Sequence, residues 1–507
     1  MAWLHTWGGL VFAWLLFAIF FAGTLAFYRE ELTVWMQPEI HRAQQAPDNG
    51  IAAAIRELQQ RAPNAQTWSI IVPGPRRQVV EARWSNGAFD PKAVVVLDPK
   101  TGKELHPRET VGGHFFRNFH FSLMIATTGQ WIVGVATMMM LVGLISGVVI
   151  HKKIFRDFFT FRPQKSPPRA WLDAHNVAAV LALPFHLMIT YTGLLTLMYV
   201  FMPAGMNLEG DGFLGFLNQI SPRVETPAAQ GRAAPLTSLD ALMSRASDHW
   251  DGAAIGAIQI SQPGDAAAVV DIVRRRSAGF TARMDPRLRF NGVTAEQLAE
   301  YRQNAPAVST FGAMYGLHAA WFADQPLRAL LFTMGLMGSL MVASGSLMWS
   351  AKRREQHGPD YAATGYRAVE ALNAAGIAGL VLSSAALFWI NRLLPVDLVG
   401  RMGWETRCFF GVWLLCLLHA VLRGRSRATW REQLWFAALL LLLLPVLNAM
   451  TGGLPLPEAI ATGQWGIAGV ELTALAFAAL LAWTGWKIGV ARRSPSRIAR
   501  GTTKPAT

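Results

Sequence analysis

Long stretches in which polar residues nearly vanish alternate along the chain with stretches of ordinary polarity. A helix that crosses a bilayer needs about 20 mostly apolar residues. Eight stretches meet that requirement, at roughly 7–27, 121–150, 175–203, 327–350, 366–390, 405–422, 433–450 and 467–489. The first has no basic residues ahead of it, and it continues into Tyr28-Arg29-Glu30-Glu31 instead of a small-residue cleavage site. It is expected to be a retained helix. The expected fold class is therefore an all-α polytopic membrane bundle of about eight transmembrane helices.

Two longer polar segments, 28–118 and 204–317, interrupt the first four spans. The first predicts a helix at 51–61 and strands in WSIIV, QVVEARW and AVVVLDPKTGKEL. The second predicts a helix at 237–248 and strands in AIGAIQIS, AAVVDIVRR and RLRFNGVTAEQL. DPKTG and FNGVT are both turn sequences between β-type runs. Each segment is thus expected to be a small α+β module, and 1–350 a duplicated helix–module–helix unit. The predicted division is helix 1–27, module 28–118, helices 119–203 with a loop at 151–174, module 204–317, helix 318–350, and four further helices in 351–507.

Composition agrees with the spans and adds orientation. Of 507 residues, 52% are hydrophobic and only 15% charged, against about 25% in soluble proteins. The net charge of +14 would suggest nucleic acid in a soluble chain. Here the basic residues follow apolar runs, as in HKKIFRDFFTFRPQKSPPR, AKRREQHG, RGRSRATWR and ARRSPSRIARGTTK. By the positive-inside rule these stretches are cytoplasmic, which puts both termini inside and both polar segments outside. No nucleic-acid partner is expected; lipid is. Cys408 and Cys416 lie in one apolar run, so there is no disulfide framework and no CxxCH. No GxGxxG after a strand, no P-loop and no HExxH occur, so bound flavin or NAD(P)H and a zinc site are not expected.

Candidate chemistry rests on the histidines. His5, His120, His151, His175, His186 and His318 lie in or beside the first four spans. Ionisable groups in apolar helices are costly and commonly mark functional paths. His175 and His186 are eleven residues apart, about three turns, which predicts one helix face at two depths. His120 and His318 each precede a stretch of similar length to an inner boundary, and are expected to open spans 2 and 4 at the outer headgroup level. Histidines from neighbouring helices at matched depth suit a bis-histidyl haem. The competing reading of any one of them is an interfacial anchor. His41, His106, His249 and His357 are expected to be solvated, His419 structural, and His114 is ambiguous.

The runs 4–39 (LHTWGGLVFAWLLFAIFFAGTLAFYREELTVWMQPE), 147–195 (GVVIHKKIFRDFFTFRPQKSPPRAWLDAHNVAAVLALPFHLMITYTGLL) and 316–349 (GLHAAWFADQPLRALLFTMGLMGSLMVASGSLMW) resemble the PepSY-associated transmembrane-helix family. Within it they are most similar to the branch of inner-membrane ferrisiderophore reductases. That resemblance implies PepSY-like periplasmic modules and b-type haems, two here, on transmembrane histidines. It also implies reduction of ferric siderophore to release ferrous iron. It carries over His5, His120, His175 and His318, with His151 and His186 from the narrower branch. An inner haem is expected near His5, His151 and His175. An outer haem is expected near His120 and His318, with His186 as the competing ligand. A cytoplasmic or quinol donor would supply electrons, and periplasmic iron-uptake proteins are possible partners. The alternatives are a non-enzymatic PepSY scaffold and a permease subunit for iron or siderophore. The permease reading suffers from spans that carry few charges.

Overall fold

A computed structural model describes residues 1–44, 46, 48–87, 93–150, 162, 166–202, 226–276, 286–301, 306–358, 364–424 and 426–490. From the N-terminus, α1 (Ala2–Ala26) leads through α2 (Arg29–Trp35) into α3 (Ile51–Arg61). Strands β1 (Thr67–Ile71), β2 (Val80–Ser85), β3 (Ala93–Leu97) and β4 (Glu104–Leu105) follow, then α4 (His114–Ser122) and α5 (Ala126–Ile150). Helices α6 (Pro167–Leu181) and α7 (Leu183–Thr196) precede the second polar segment. That segment holds α8 (Leu239–His249) and strands β5 (Ile255–Ser261), β6 (Val269–Arg274), β7 (Arg287–Asn291) and β8 (Gln297–Tyr301). Then come α9 (Pro306–Ala319) and α10 (Gln325–His357). The remainder is helical: α11 (Thr364–Asn373), a π-turn to α12 (Leu380–Leu393), α13 (Arg401–Arg423), α14 (Ser426–Leu442), α15 (Leu444–Met450) and α16 (Trp465–Val490).

Six described helices are long and apolar enough to cross a membrane, and two bent pairs bring the number to eight. The chain is a multi-pass membrane protein. Expected spans 3 and 7 are the bent pairs: α6 and α7 meet at 70°, and α14 and α15 at 41°. Each break has a proline in the first turn of its second helix, Pro184 and Pro445. Proline offers no N–H to the preceding turn, and its ring crowds the carbonyl four residues back. The three-turn face expected to carry both His175 and His186 therefore does not exist.

Spans 2 and 4 also differ from expectation, because neither begins at its histidine. Leu123, Met124 and Ala126 have positive φ and separate α4 from α5; Ala320 does the same between α9 and α10. Such backbone ends a helix sharply. His120 and His318 thus sit near the ends of short helices of their own.

The two polar segments, expected as separate modules, share one antiparallel sheet ordered β4-β3-β2-β1-β5-β6-β7-β8. The joint is β1 against β5, with Ile70 opposite Ile258 and Trp68 opposite Ile260. The halves repeat in detail. Asp98 accepts from the backbone of Lys100 and Thr101, and Asn291 accepts likewise from Val293 and Thr294. Helices α3 and α8 cover one face, where Leu58, Leu242, Ile70, Ile258, Leu97 and Phe290 are fully buried. Each such side chain contributes roughly 1.5–3 kcal/mol, so the two halves share one continuous core.

The last four spans carry more buried charge than their apolar sequence suggested. Glu405, fully buried, accepts from Arg401, Asn391, Thr110 and the backbone of Val111. Glu471 accepts from Trp35 and Asn448, and Arg392 lies over the Trp35 ring at 4.3 Å. Arg108 pairs with Glu39 at 2.8 Å and donates to the Asn391 carbonyl. Residues 34–41 and 108–111, which tie the sheet to the membrane helices, are thereby clamped to the second half. Removing one partner of such a buried pair is costly, about 3–5 kcal/mol.

His41, expected to be solvated, is 2% exposed within this clamp. Its Nε2–H donates to the Val34 carbonyl, and its Nδ1 accepts from the Leu454 amide. Burial, reinforced by the Arg392 and Arg108 cations, lowers its pKa to about 4. Below about pH 6.5 the unfolded chain takes a proton here that the fold refuses until about pH 4. Stability should therefore fall by up to roughly 3 kcal/mol over that window. Thermal unfolding in detergent from pH 7 to 4 should show that loss, and His41→Leu should flatten it.

Candidate functional site

Two cavities lie among the first four spans, and each is faced by two histidines. His5 on α1 and His175 on α6 line one of 570 Å³. His120 on α4 and His318 on α9 line the other, of 180 Å³ and nearer the sheet. The His5 and His175 ring centroids are 6.3 Å apart at an interplanar angle of 79°. The His120 and His318 centroids are 5.9 Å apart at 24°. In each pair one ring comes from each half of the duplicated unit.

All four rings are held alike. Nδ1 of His5 donates to the Gly143 carbonyl at 3.0 Å, and that of His120 to Ile19 at 2.8 Å. Nδ1 of His175 donates to Met341 at 2.7 Å, and that of His318 to Ile189 at 3.0 Å. A carbonyl can only accept, so the proton sits on Nδ1 and the lone pair on Nε2.

Four residues beyond each accepting carbonyl stands a glycine: Gly147, Gly23, Gly345 and Gly193. A helical carbonyl normally receives the amide of residue i+4, so these glycines sit over the shared acceptor. A methyl group on them would come within 3.2, 2.7, 3.3 and 2.9 Å of the corresponding imidazole. The glycines leave the room the rings occupy. Each follows a small residue, Ser146, Ala22, Ser344 or Thr192, and this small–Gly dipeptide is a sequence signal that the histidine reading passed over. Two of these neighbours also reach the rings: Ser146 lies 3.3 Å from His5 Nδ1 and Thr192 3.2 Å from His318 Nδ1.

The two pairs lie at different depths. His5 and Ile19, the acceptor of His120, are fourteen residues apart on α1, about 21 Å of rise. Ile19 is seven residues before the end of α1, so His120 reaches about 10 Å below that end. The headgroup-level position expected for it rested on an unbroken helix, which the kink at Leu123 removes.

The other expected ligands are not part of these pairs. His151 lies outside the described residues. His186 lies in the first turn of α7 just past the bend, fully buried, and neither ring nitrogen makes a well-formed hydrogen bond among the described residues. Its ring meets the edge of Phe20 at 6.0 Å and no other histidine ring among the described contacts. His114 is exposed, and His419 pairs with Glu432. In the loops between strands, Arg76 is ion-paired to Glu31, Arg77 to Glu81, and Arg275 donates to the Pro73 and Ile255 carbonyls.

A pair of imidazoles does not complete a tetrahedral or di-iron site, and no cluster of three His, Cys, Asp or Glu occurs among the described residues. Two imidazoles on opposite sides suit a metal whose other positions belong to a planar macrocycle. His5 with His175, and His120 with His318, would hold such a group: with metal–nitrogen bonds of about 2 Å, one metal ion would fit between rings separated as these are. Both cavities have largely apolar walls, including Leu16, Met140 and Met341 around the first and Ile19, Phe20 and Ile189 around the second. The first is of a size that holds small molecules, and the second would have to widen to admit a flat hydrophobic ligand.

Residues 2–352 match the family described as the PepSY-associated TM region. An uncharacterized protein of Pseudomonas aeruginosa is 27% identical over 395 residues, covering 75% of this chain and 95% of its own.

The glycine seats predict a steric signature. Gly23→Val and Gly193→Val should each lower the unfolding temperature in detergent by several degrees, equivalent to about 1–3 kcal/mol of overpacking. Gly411→Ala, where a methyl group meets nothing within 4 Å, should not. Equal effects at all three positions would remove the steric account.

Proposed function

The chain belongs to the PepSY-associated TM family, and on that premise we propose that it is a haem-containing reductase of a bacterial inner membrane, passing electrons to ferric siderophore in the periplasm. The observation that carries this reading is the two histidine pairs, whose ring centroids are 6.3 and 5.9 Å apart and which are set about 21 Å apart along α1. A haem b between each pair would supply a one-electron carrier at each depth.

The protein's own groups have definable parts in this scheme. Each Nδ1–H to carbonyl bond orients its ring and raises the basicity of Nε2, as is usual for metal-bound histidine. The apolar walls exclude water, and the glycines keep the rings against their acceptors. Arg169 and Lys352 line the His5–His175 cavity, and by the positive-inside rule that end would face the cytoplasm. A cytoplasmic or quinol donor would meet the chain there. The His120–His318 cavity lies toward the sheet, which is then periplasmic. Ferric iron is a hard ion held tightly by oxygen chelators; one electron makes it ferrous, which they hold less well, and iron is released with the chelator intact. Periplasmic iron-uptake proteins would receive it. Spans 5 to 8 brace the linkers through the Glu405 and Glu471 clusters.

Haem stoichiometry and reduced-minus-oxidised spectra test the assignment. His175→Ala and His318→Ala should each convert or remove one of two low-spin species, leaving the other. His186→Ala should retain both, because its ring faces no partner histidine. Purified wild-type protein without Soret absorbance after haem-replete expression sinks the proposal.

A further inference from the structure

The mouth of the His120–His318 cavity is unusually cationic. Arg29 and Arg117 both line it, together with Tyr315 and Trp321. Arg29 lies at the junction of α1 and α2 with its side chain 17% exposed. Its carboxylate partner is the adjacent Glu30 at 3.2 Å, and its guanidinium lies 5.7 Å over the Trp321 ring. Arg276 lies over the same ring at 4.2 Å. Arg117 stacks on Phe121 at 5.1 Å and contacts uncharged Asn118 at 3.3 Å. The next carboxylate, Glu31, already serves Arg76 and Arg328. Burial, together with the like charges of Arg76 and Arg117, lowers the Arg29 pKa despite Glu30. Crowded, partly desolvated guanidinium groups are relieved by an oxyanion, which their planar fork binds in bidentate fashion.

We propose that Arg29 and Arg117 form a carboxylate seat at the mouth of the His120–His318 cavity. Resting on the haem reading, two sources of that chemistry can reach it. One is the edge carboxylates of a porphyrin in the cavity; the other is the acidic groups of a ferric chelate arriving from the sheet side. In the second case the seat makes the protein selective for anionic chelates.

The test uses full-length protein in detergent, wild type against Arg29→Gln, Arg117→Gln and the double variant, with Arg423→Gln as a remote control. Protein from haem-limited cells is titrated with haem and with haem dimethyl ester, whose carboxylates are masked. If the seat holds porphyrin carboxylates, wild type binds free haem at least tenfold more tightly than the ester, and the variants lose that preference. If the seat serves substrate, the variants keep the preference or never had one. Their KM for ferric citrate then rises about tenfold at constant kcat, while the uncharged ferric tris-maltol complex is reduced as before. Soret absorbance without either charge effect overturns the seat and leaves the haem reading standing. If wild type shows no Soret band, that reading fails and citrate alone decides the seat. Citrate should raise the wild-type unfolding temperature over mannitol at equal ionic strength, and not that of the double variant; no difference overturns it.

Discussion

The membrane half depends on one contact made four times: an imidazole N–H placed against a helix carbonyl where a glycine has cleared the surface. The contact is reciprocal. α1 seats the histidine of α4 at Ile19 and Gly23, and α5 seats the histidine of α1 at Gly143 and Gly147. α7 and α10 exchange in the same way with α9 and α6. A half-buried imidazole among apolar side chains is costly without a partner, so each exchange favours one rotation and one register of the helices involved. His186 is the contrast, since it is buried and makes no well-formed bond of this kind among the described residues.

The same symmetry runs through the extramembrane part. β1 and β5 meet at the centre of the sheet as the histidines of the two halves meet in each cavity. Nothing in either half is a complete site: each contributes one ring to each cavity and four strands to the sheet. The second half of the chain stands outside this symmetry. It grips the linkers by hydrogen bonds to and from buried charged groups such as Glu405, Glu471 and Arg392, which fix geometry at a cost in desolvation.

Much of this was legible in the residues. The apolar runs mark the spans, and the predicted helix at 51–61 coincides with α3. The histidines at positions 5, 120, 175 and 318 stood out because imidazoles are conspicuous in apolar surroundings. What periodicity could not convey was where helices stop being straight. Pro184 and the positive-φ residues after Ser122 each invalidate a count of residues per turn. The shared sheet was hidden for another reason: strand pairing between distant segments leaves no local pattern. His41 looked like a surface residue because its burial depends on Leu454, more than 400 positions away.

The joint between β1 and β5 also has a consequence for how the protein is made. Ile258 follows Ile70 by 188 residues, and two membrane crossings separate their strands. At about 5–20 residues per second, β1 waits roughly 10–40 s after synthesis for its neighbour, an open edge throughout. During that time the first four strands form half a sheet with a hydrophobic face covered by α3 alone. The His5–His175 pair cannot close before α6 is made, nor the His120–His318 pair before α9 is made. Insertion of anything gripped between the halves is therefore a late event in biogenesis, and quality control acting on the unpaired edge has a long interval in which to work.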